Sequence, residues 1–222
     1  MADGTGKMRE VLRGLPPFPE ELPEFDVQAA PEDPVTLFLT WFNAAVQDKI
    51  LGPQIMTLAT ADGAGRVSSR VLICKDVDDT GRWYFASSSD SEKGRDLAAN
   101  PHAAASFYWP QQGRQIRIRG RAGSAGRRAS AEDFLARPPA SRAAALIGQQ
   151  SKPMSELADL DDAFRACEAK IEADPEILAP DWTLYALSAE TVEFWQADHQ
   201  RRHLRLQYGR AEDSWTRRLL WP

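Results

Sequence analysis

The run Arg114-Gln115-Ile116-Arg117-Ile118-Arg119-Gly120 alternates strictly, and a period of two with one polar and one apolar face is what a strand on a half-buried sheet requires. Similar segments recur along the chain. Ile55 to Ala61 and Arg66 to Lys75 flank Asp62-Gly63, the signature of a hairpin turn, and Arg82 to Ser87 and Ala103 to Trp109 follow as a third and fourth strand. Trp182 to Ser188, Thr191 to Ala197, Arg202 to Gly209 and Ser214 to Trp221 read as the closing strands. Helices are sparser. Pro34 opens one with Leu37, Phe38, Trp41, Phe42 and Ala45 on a single face, and Ser91 or Asp90 caps a short one over Glu92 to Ala99. Ser130 begins another that ends at Pro138-Pro139, and Leu157, Leu160, Phe164, Cys167 and Ile171 mark a longer amphipathic one. About seven or eight antiparallel strands with helices inserted late predict a mainly β, α+β fold: a closed or partly closed Greek-key antiparallel barrel.

A chain of 222 residues can bury one substantial core and leave residues over for an arm. Residues 1–33 are rich in Pro, Glu and Asp and read as that arm, and residues 34–222 as the barrel domain. A net charge of -5 argues against general nucleic-acid or acidic-membrane binding, so basic clusters need a local explanation. Cys74 and Cys167 are too few for a disulfide framework or a zinc site; both read as core thiols in a reducing cytoplasm, and no metal site is expected. No stretch approaches the roughly 20 apolar residues of a membrane span, which predicts a soluble protein.

One basic cluster stands out near the C-terminus. Glu193-Phe194-Trp195-Gln196 is followed by Arg201-Arg202-His203-Leu204-Arg205. Counted as a strand, Arg201, His203 and Arg205 share one face and Arg202 and Leu204 the other, so three cationic or titratable groups would face an anionic, planar ligand. The same pattern is also that of a solvated edge strand.

Several segments together carry a resemblance. They are Arg70-Val-Leu-Ile-Cys-Lys75, Ser91-Glu-Lys93-Gly-Arg-Asp-Leu, Asn100-Pro101, Phe107-Tyr-Trp109-Pro, Arg114-Gln115-Ile-Arg-Ile, Phe134-Leu-Ala-Arg137-Pro138, Gln150-Ser151, the Glu193 to Gln196 run and Arg201-Arg-His203-Leu-Arg205. In this order and spacing, across nearly all of residues 34 to 222, they are similar to the pyridoxamine 5′-phosphate oxidase family. The resemblance implies an FMN-binding split β-barrel and a homodimer with FMN between the subunits. It places Arg70, Val71, Leu72, Ile73, Cys74, Lys75, Ala86, Ser87, Lys93, Gln115, Gln150, Ser151, Trp195 and Arg205 around FMN, Arg70 and Lys93 serving its phosphate. Without the resemblance, Arg70 and Gln115 read as solvated strand positions. It places Lys75, Arg137, Ser141, Arg201 and His203 on the substrate, with Arg201 and His203 orienting it over the flavin. The implied reaction passes hydride from a substrate carbon to flavin N5, with O₂ as acceptor giving H₂O₂; for pyridoxamine 5′-phosphate the products are pyridoxal 5′-phosphate and ammonia.

Four departures qualify the match. Asp133 stands where the family has a phosphate-binding tyrosine, and like charges a few ångströms apart cost about 1 to 4 kcal/mol. Asp133 also lies three residues after Ser130, where an acid caps a helix start, and Arg142 beside Ser141 is placed to restore the lost attraction. Glu92 replaces an arginine beside Lys93, weakening the FMN phosphate cluster or pointing to solvent, and Leu204 replaces an acid. The arm segment LPPFPEELPEF resembles that of phenazine-biosynthetic relatives, which oxidise larger tricyclic carboxylates. Three functions stay open: a B6-vitamer phosphate oxidase, a phenazine-precursor type flavin oxidase of secondary metabolism, and a non-enzymatic flavin- or haem-binding barrel. The Arg201 and His203 pair counts against the last.

Overall fold

A computed structural model describes residues 4–212 and 214–222; Met1 to Asp3, the tip of the expected arm, lie outside the described residues. The molecule is a curled antiparallel sheet, closed only in part into a half-barrel, with helices on its surface and at one mouth.

Helix α2 (Pro34–Gln47) fills the barrel. Its start is fixed by Asp33, whose carboxylate accepts from Val35 N at 3.0 Å and Thr36 N at 2.8 Å, with Pro34 supplying a helix-ready φ. Leu37, Phe38, Trp41 and Ala45 then fall on one buried face. Phe38 packs edge-on to Phe107 at 5.1 Å and Trp83 at 5.7 Å, and Trp41 meets Phe194 at 5.2 Å and Phe25 at 4.9 Å. Truncating such an aromatic to alanine costs about 3 to 5 kcal/mol. Phe25 and the buried Ala30 come from the N-terminal arm, which therefore also packs on this core. The arm begins with α1 (Gly4–Gly14), a helix the sequence pattern does not announce; its Met8, Val11 and Leu12 are exposed.

The sheet comprises β1 (Ile55–Ala61), β2 (Val67–Ile73), the two-residue β3 (Asp76–Val77), β4 (Arg82–Ser88), β5 (His102–Trp109), β6 (Arg114–Ser124), β7 (Trp182–Gln196), β8 (Leu204–Ala211) and β9 (Ser214–Leu219). Spatial order is β2-β1-β5-β6-β7-β4-β3, with β8 on β7 and β9 on β8, so β1–β5 and β4–β7 are Greek-key neighbours distant in sequence. Two expected strands, 182–188 and 191–197, are one continuous β7. Its first half pairs with β4 and its second with β8, while β6 follows it along the other edge. The divergence occurs at a bulge where the β6–β7 register shifts at Arg119/Gly120. A Cβ at Gly120 would sit 1.9 Å from Ser188 O, so the two strands approach there only because that position has no side chain.

Three helices shape one mouth of the half-barrel. Helix α4 (Arg127–Leu135) begins three residues earlier than Ser130, because Gly126 takes the cap position with φ 99° and Ser130 is interior, its hydroxyl donating to Gly126 O at 2.8 Å. Pro138-Pro139 ends one helix but opens another: Pro139 is the first residue of α5 (Pro139–Leu146). Helix α6 (Leu157–Ala173) packs Cys167 and Ile171 against Ala143 of α5 in a small separate apolar cluster. The short α3 (Glu92–Ala99) is capped by Ser91, whose hydroxyl accepts from Gly94 N at 3.2 Å. Strand β8 starts at Leu204, two residues later than the alternation predicts.

Candidate functional site

Ser87 at the end of β4 and Ser91 at the α3 cap point their hydroxyls at the same ammonium. Lys93 Nζ lies 3.0 Å from Ser87 Oγ and 3.3 Å from Ser91 Oγ, and the residue is 5% exposed. The two groups it bonds are neutral. Burial, and secondly Arg70 nearby, push its pKa below the usual lysine value. Arg70, on β2, lies across β1: its Nη1 donates to Thr60 Oγ1 at 2.7 Å and Leu58 O at 3.4 Å. Its acidic neighbours are more distant, Glu92 at 3.7 Å and Asp96 at 3.9 Å. Glu92 is more than half exposed in the first turn of α3, and so loose a pair contributes little.

Arg70 and Lys93 line an open cavity of about 350 Å³ with Ser68, Ser69, Gln150 and Ser151. Gln150 accepts from Ser87 Oγ at 3.1 Å, and Ser151, in left-handed backbone at φ 69°, accepts from Glu92 N at 3.3 Å. A buried lysine held only by hydroxyls beside an arginine under-supplied with carboxylate suits a phosphate monoester dianion. The cradle therefore fits the phosphate of FMN. Along β2, Val71 and Ile73 face outward while Leu72 and Cys74 pack on the core, and burial pushes the Cys74 thiol up to about 12. That strand ends the sheet, so its outer backbone edge carries no strand.

A second group forms a row across three strands: Gln115 on β6 is opposite Trp195 on β7, which is opposite Arg205 on β8. Arg205 is fixed by Glu193, its Nε at 2.9 Å and Nη2 at 2.8 Å from Oε1, and by Trp221 O at 2.9 Å from Nη1. The Trp195 ring stands 4.8 Å from that of His203, and Phe18 of the arm covers both, at 5.8 Å and 6.1 Å. Arg201 to His203 are not strand, contrary to the alternation. Asp198 organises them into a turn by accepting from Gln200 N at 2.8 Å and Arg202 N at 3.0 Å, and Arg201 takes φ 67°. Asp198 N donates to His203 Nδ1 at 3.0 Å, so Nδ1 is the unprotonated nitrogen and Nε2 carries the hydrogen of the neutral ring.

A third group surrounds Asp133. Its carboxylate lies 3.2 Å from Lys75 Nζ and accepts from Trp182 Nε1 at 2.8 Å. Asp133 is in the last turn of α4, so it caps no helix start; an acid there opposes the helix dipole, and Lys75 and Trp182 compensate it. Arg137 stacks 4.0 Å above the Trp182 ring, and its buried Nη1 has no hydrogen-bond partner among the described residues. Burial lowers the Arg137 pKa even though Asp133 opposes the shift. Arg142 does not restore attraction at this wall. It is buried, turned the other way, and donates to Pro175 O and to Ile177 O at 3.2 Å. Ser141 is half-buried in the first turn of α5. Arg137 and Trp182 open on a cavity of about 570 Å³ that Leu72, Ala86, Ser87 and Gln150 also line.

The structure thus brings together Arg70, Ser87, Lys93, Gln150 and Ser151, separately Lys75, Asp133 and Arg137, and separately Gln115, Trp195, His203 and Arg205. Trp182 and Trp195 stand at opposite ends of β7, roughly 40 Å of extended chain at about 3.3 Å per residue. One copy therefore does not bring Arg201 and His203 to Lys75 and Arg137. Sequence reading gave no role to Trp182 or Phe18, because each acts through a partner far along the chain, Trp182 on Asp133 and Phe18 on Trp195; it singled out the run that Glu193 begins but not the bond from Arg205 to Glu193.

The chain is similar to known proteins in sequence and in fold. Residues 42–196 match the sequence family described as pyridoxamine 5′-phosphate oxidase, and residues 182–222 match the pyridoxine 5′-phosphate oxidase C-terminal dimerisation region. The chain is 40% identical over 195 residues to the pyridoxine/pyridoxamine 5′-phosphate oxidase of Ectopseudomonas mendocina, covering 87% of this chain and 90% of that one. It is 38% identical over 203 residues to that of Herminiimonas arsenicoxydans, covering 91% and 94%. Among solved structures it resembles PhzG from Burkholderia lata 383 in complex with tetrahydrophenazine-1-carboxylic acid, with TM-score 0.81, 30% identity, and 90% of this chain and 99% of that chain covered. A pyridoxamine 5′-phosphate oxidase-related, FMN-binding protein from Nostoc punctiforme shares the fold at TM-score 0.66 and 20% identity, covering 87% and 98%.

Proposed function

The chain belongs to the pyridoxamine 5′-phosphate oxidase family of FMN-dependent oxidoreductases, and from that premise we propose that it oxidises a small, planar, anionic substrate at a site completed by two copies of the chain. The observation that carries the cofactor assignment is the buried Lys93 ammonium, bonded to Ser87 and Ser91 hydroxyls with Arg70 beside it. Arg70, Lys93, Ser87 and Ser151 would hold the FMN phosphate; the backbone from Val71 to Lys75, with Ala86, Gln115, Gln150, Trp195 and Arg205, would border the ring. FMN held there would supply a two-electron acceptor for hydride from a substrate carbon, with O₂ as the oxidant that regenerates it and H₂O₂ as the by-product.

The chain's own groups do the rest. Arg201 clamps substrate charge, and His203, with Nδ1 held by Asp198 N, presents Nε2–H as a donor to an oxygen or nitrogen of the substrate. Trp195 and Phe18 flank the His203 ring and fix its orientation. Lys75, Arg137 and Ser141 grip the substrate's anionic group on the other copy. Residues 34–222 form the flavin-binding unit and residues 1–33 an arm over it. The match of residues 182–222 to a dimerisation region supports a homodimer with FMN at the interface. No helix among the described residues is long and apolar enough to cross a membrane. The free thiols of Cys74 and Cys167 suit a reducing cytoplasm, where we place the enzyme.

The relatives named pyridoxine/pyridoxamine 5′-phosphate oxidase favour a B6-vitamer phosphate as substrate. A second reading, a phenazine-precursor type oxidase, is favoured by the pairing of Lys75 with Asp133 and by the likeness to PhzG. The deciding experiment is anaerobic addition of pyridoxamine 5′-phosphate, pyridoxine 5′-phosphate or a reduced phenazine carboxylate to the flavin-loaded protein. Bleaching of the flavin bands by one of them, recovery on admitting air and matching H₂O₂ are expected; bands that persist with all three would overturn the oxidase reading.

A further inference from the structure

The wall formed by Lys75, Asp133, Trp182 and Arg137 does not have the charge expected of a phosphate site. Lys75 Nζ is already 3.2 Å from the Asp133 carboxylate, whose side chain is only 13% exposed. Trp182 Nε1 donates to the other carboxylate oxygen at 2.8 Å and so fixes Asp133 in place. Arg137 Cζ lies 4.0 Å over the centroid of the same indole, with Nη1 buried and lacking a partner among the described residues. Lys152 and Asp159, which line the cavity together with Arg137 and Trp182, add one charge of each sign. The wall's net charge is a single positive one, carried by the planar fork of Arg137. A dianion entering there must either stand a few ångströms from Asp133 or break its ion pair with Lys75. A carboxylate matches both the charge and the two parallel donors of a guanidinium. The cavity around Arg137 and Trp182 is otherwise walled by Leu72, Ala145, Ile147, Leu160 and Phe164, suited to a flat aromatic body.

We propose that Asp133 is a specificity-determining residue, held by Trp182 as its positioning residue, and that the subsite it forms with Lys75 and Arg137 selects an aromatic substrate bearing a singly charged carboxylate over one bearing a phosphate. This rests on the reading that Lys75 and Arg137 meet the substrate's anion.

The test uses the flavin-loaded protein and two probe pairs, with binding followed by the flavin spectrum. Pyridoxal 5′-phosphate against pyridoxal measures what the phosphate contributes; phenazine-1-carboxylate against phenazine measures the carboxylate. In the wild type, removing the phosphate should weaken binding less than about tenfold and removing the carboxylate about tenfold or more, the size of one charge-assisted contact. Asp133→Asn keeps an acceptor for Trp182 and removes the charge, so the phosphate ratio should rise at least about tenfold and by clearly more than the carboxylate ratio, because a dianion gains about twice what a monoanion gains from the freed Lys75. A wild-type phosphate ratio above about a hundredfold, or one that Asp133→Asn leaves unchanged, would overturn the proposal. If the variant fails to fold, the wild-type ratios alone decide it. A protein that binds no flavin would instead sink the functional reading, whereas flavin binding with a dominant phosphate contribution sinks only this inference.

Discussion

At the scale of single residues, the buried Lys93 is costly by itself and useful with a phosphate. Its pKa lies below 10.5, chiefly because burial disfavours the ammonium. Between that lowered value and 10.5 the unfolded chain binds more protons than the folded one, so the flavin-free protein should gain stability as pH rises through this window. A bound phosphate favours the ammonium and should shrink that gain. Thermal melts of flavin-free and flavin-loaded protein between pH 8 and 10.5 check this, with Lys93→Met removing the difference. Arg114 also titrates low, pushed down to about 10 by burial, and the Lys93→Met control separates its contribution. Arg70→Ala should weaken FMN binding by about 1.5 to 3 kcal/mol with the melt little changed; a fluorescence titration with wild-type affinity would remove Arg70 from the cradle.

At the scale of elements, the bulge between β6 and β7 lets one strand serve two neighbours. Gly120→Ala places a methyl where Ser188 O already sits, backbone against backbone, and should destabilise the protein by roughly 3 kcal/mol or more in denaturant unfolding. A near-neutral result would mean that the strands separate there easily. This bulge also explains where sequence reading stopped. The alternation of β6, the α2 stripe opened by Pro34 and the Ser91 cap of α3 are local patterns, and all are present in the structure. The unity of β7 is not local: a break expected at 189–190 is bridged because Gly120, some seventy residues earlier, accommodates it. The Arg201 to His203 turn likewise looked like strand because side-chain alternation says nothing of Asp198, whose carboxylate collects the backbone N–H groups. Asp133 was legible as a departure from the family but not in its partners, since Lys75 and Trp182 come from 58 and 49 positions away.

At the scale of the whole molecule, the β7 strand holds the Asp133–Arg137 wall near one end and the Trp195–His203 pair at the other. A site needing both must draw them from different copies. Arg137→Ala and His203→Ala should each be nearly inactive alone, yet dissociating and reassociating an equal mixture should restore about a quarter of wild-type turnover, since about half the dimers are hybrids with one intact site of two. An assay of the mixed sample that stays at background would place both residues in the same copy's site. The consequence reaches heredity: two different loss-of-function alleles of this gene, each null when alone, could rescue one another in a cell expressing both, whereas two lesions on one chain could not.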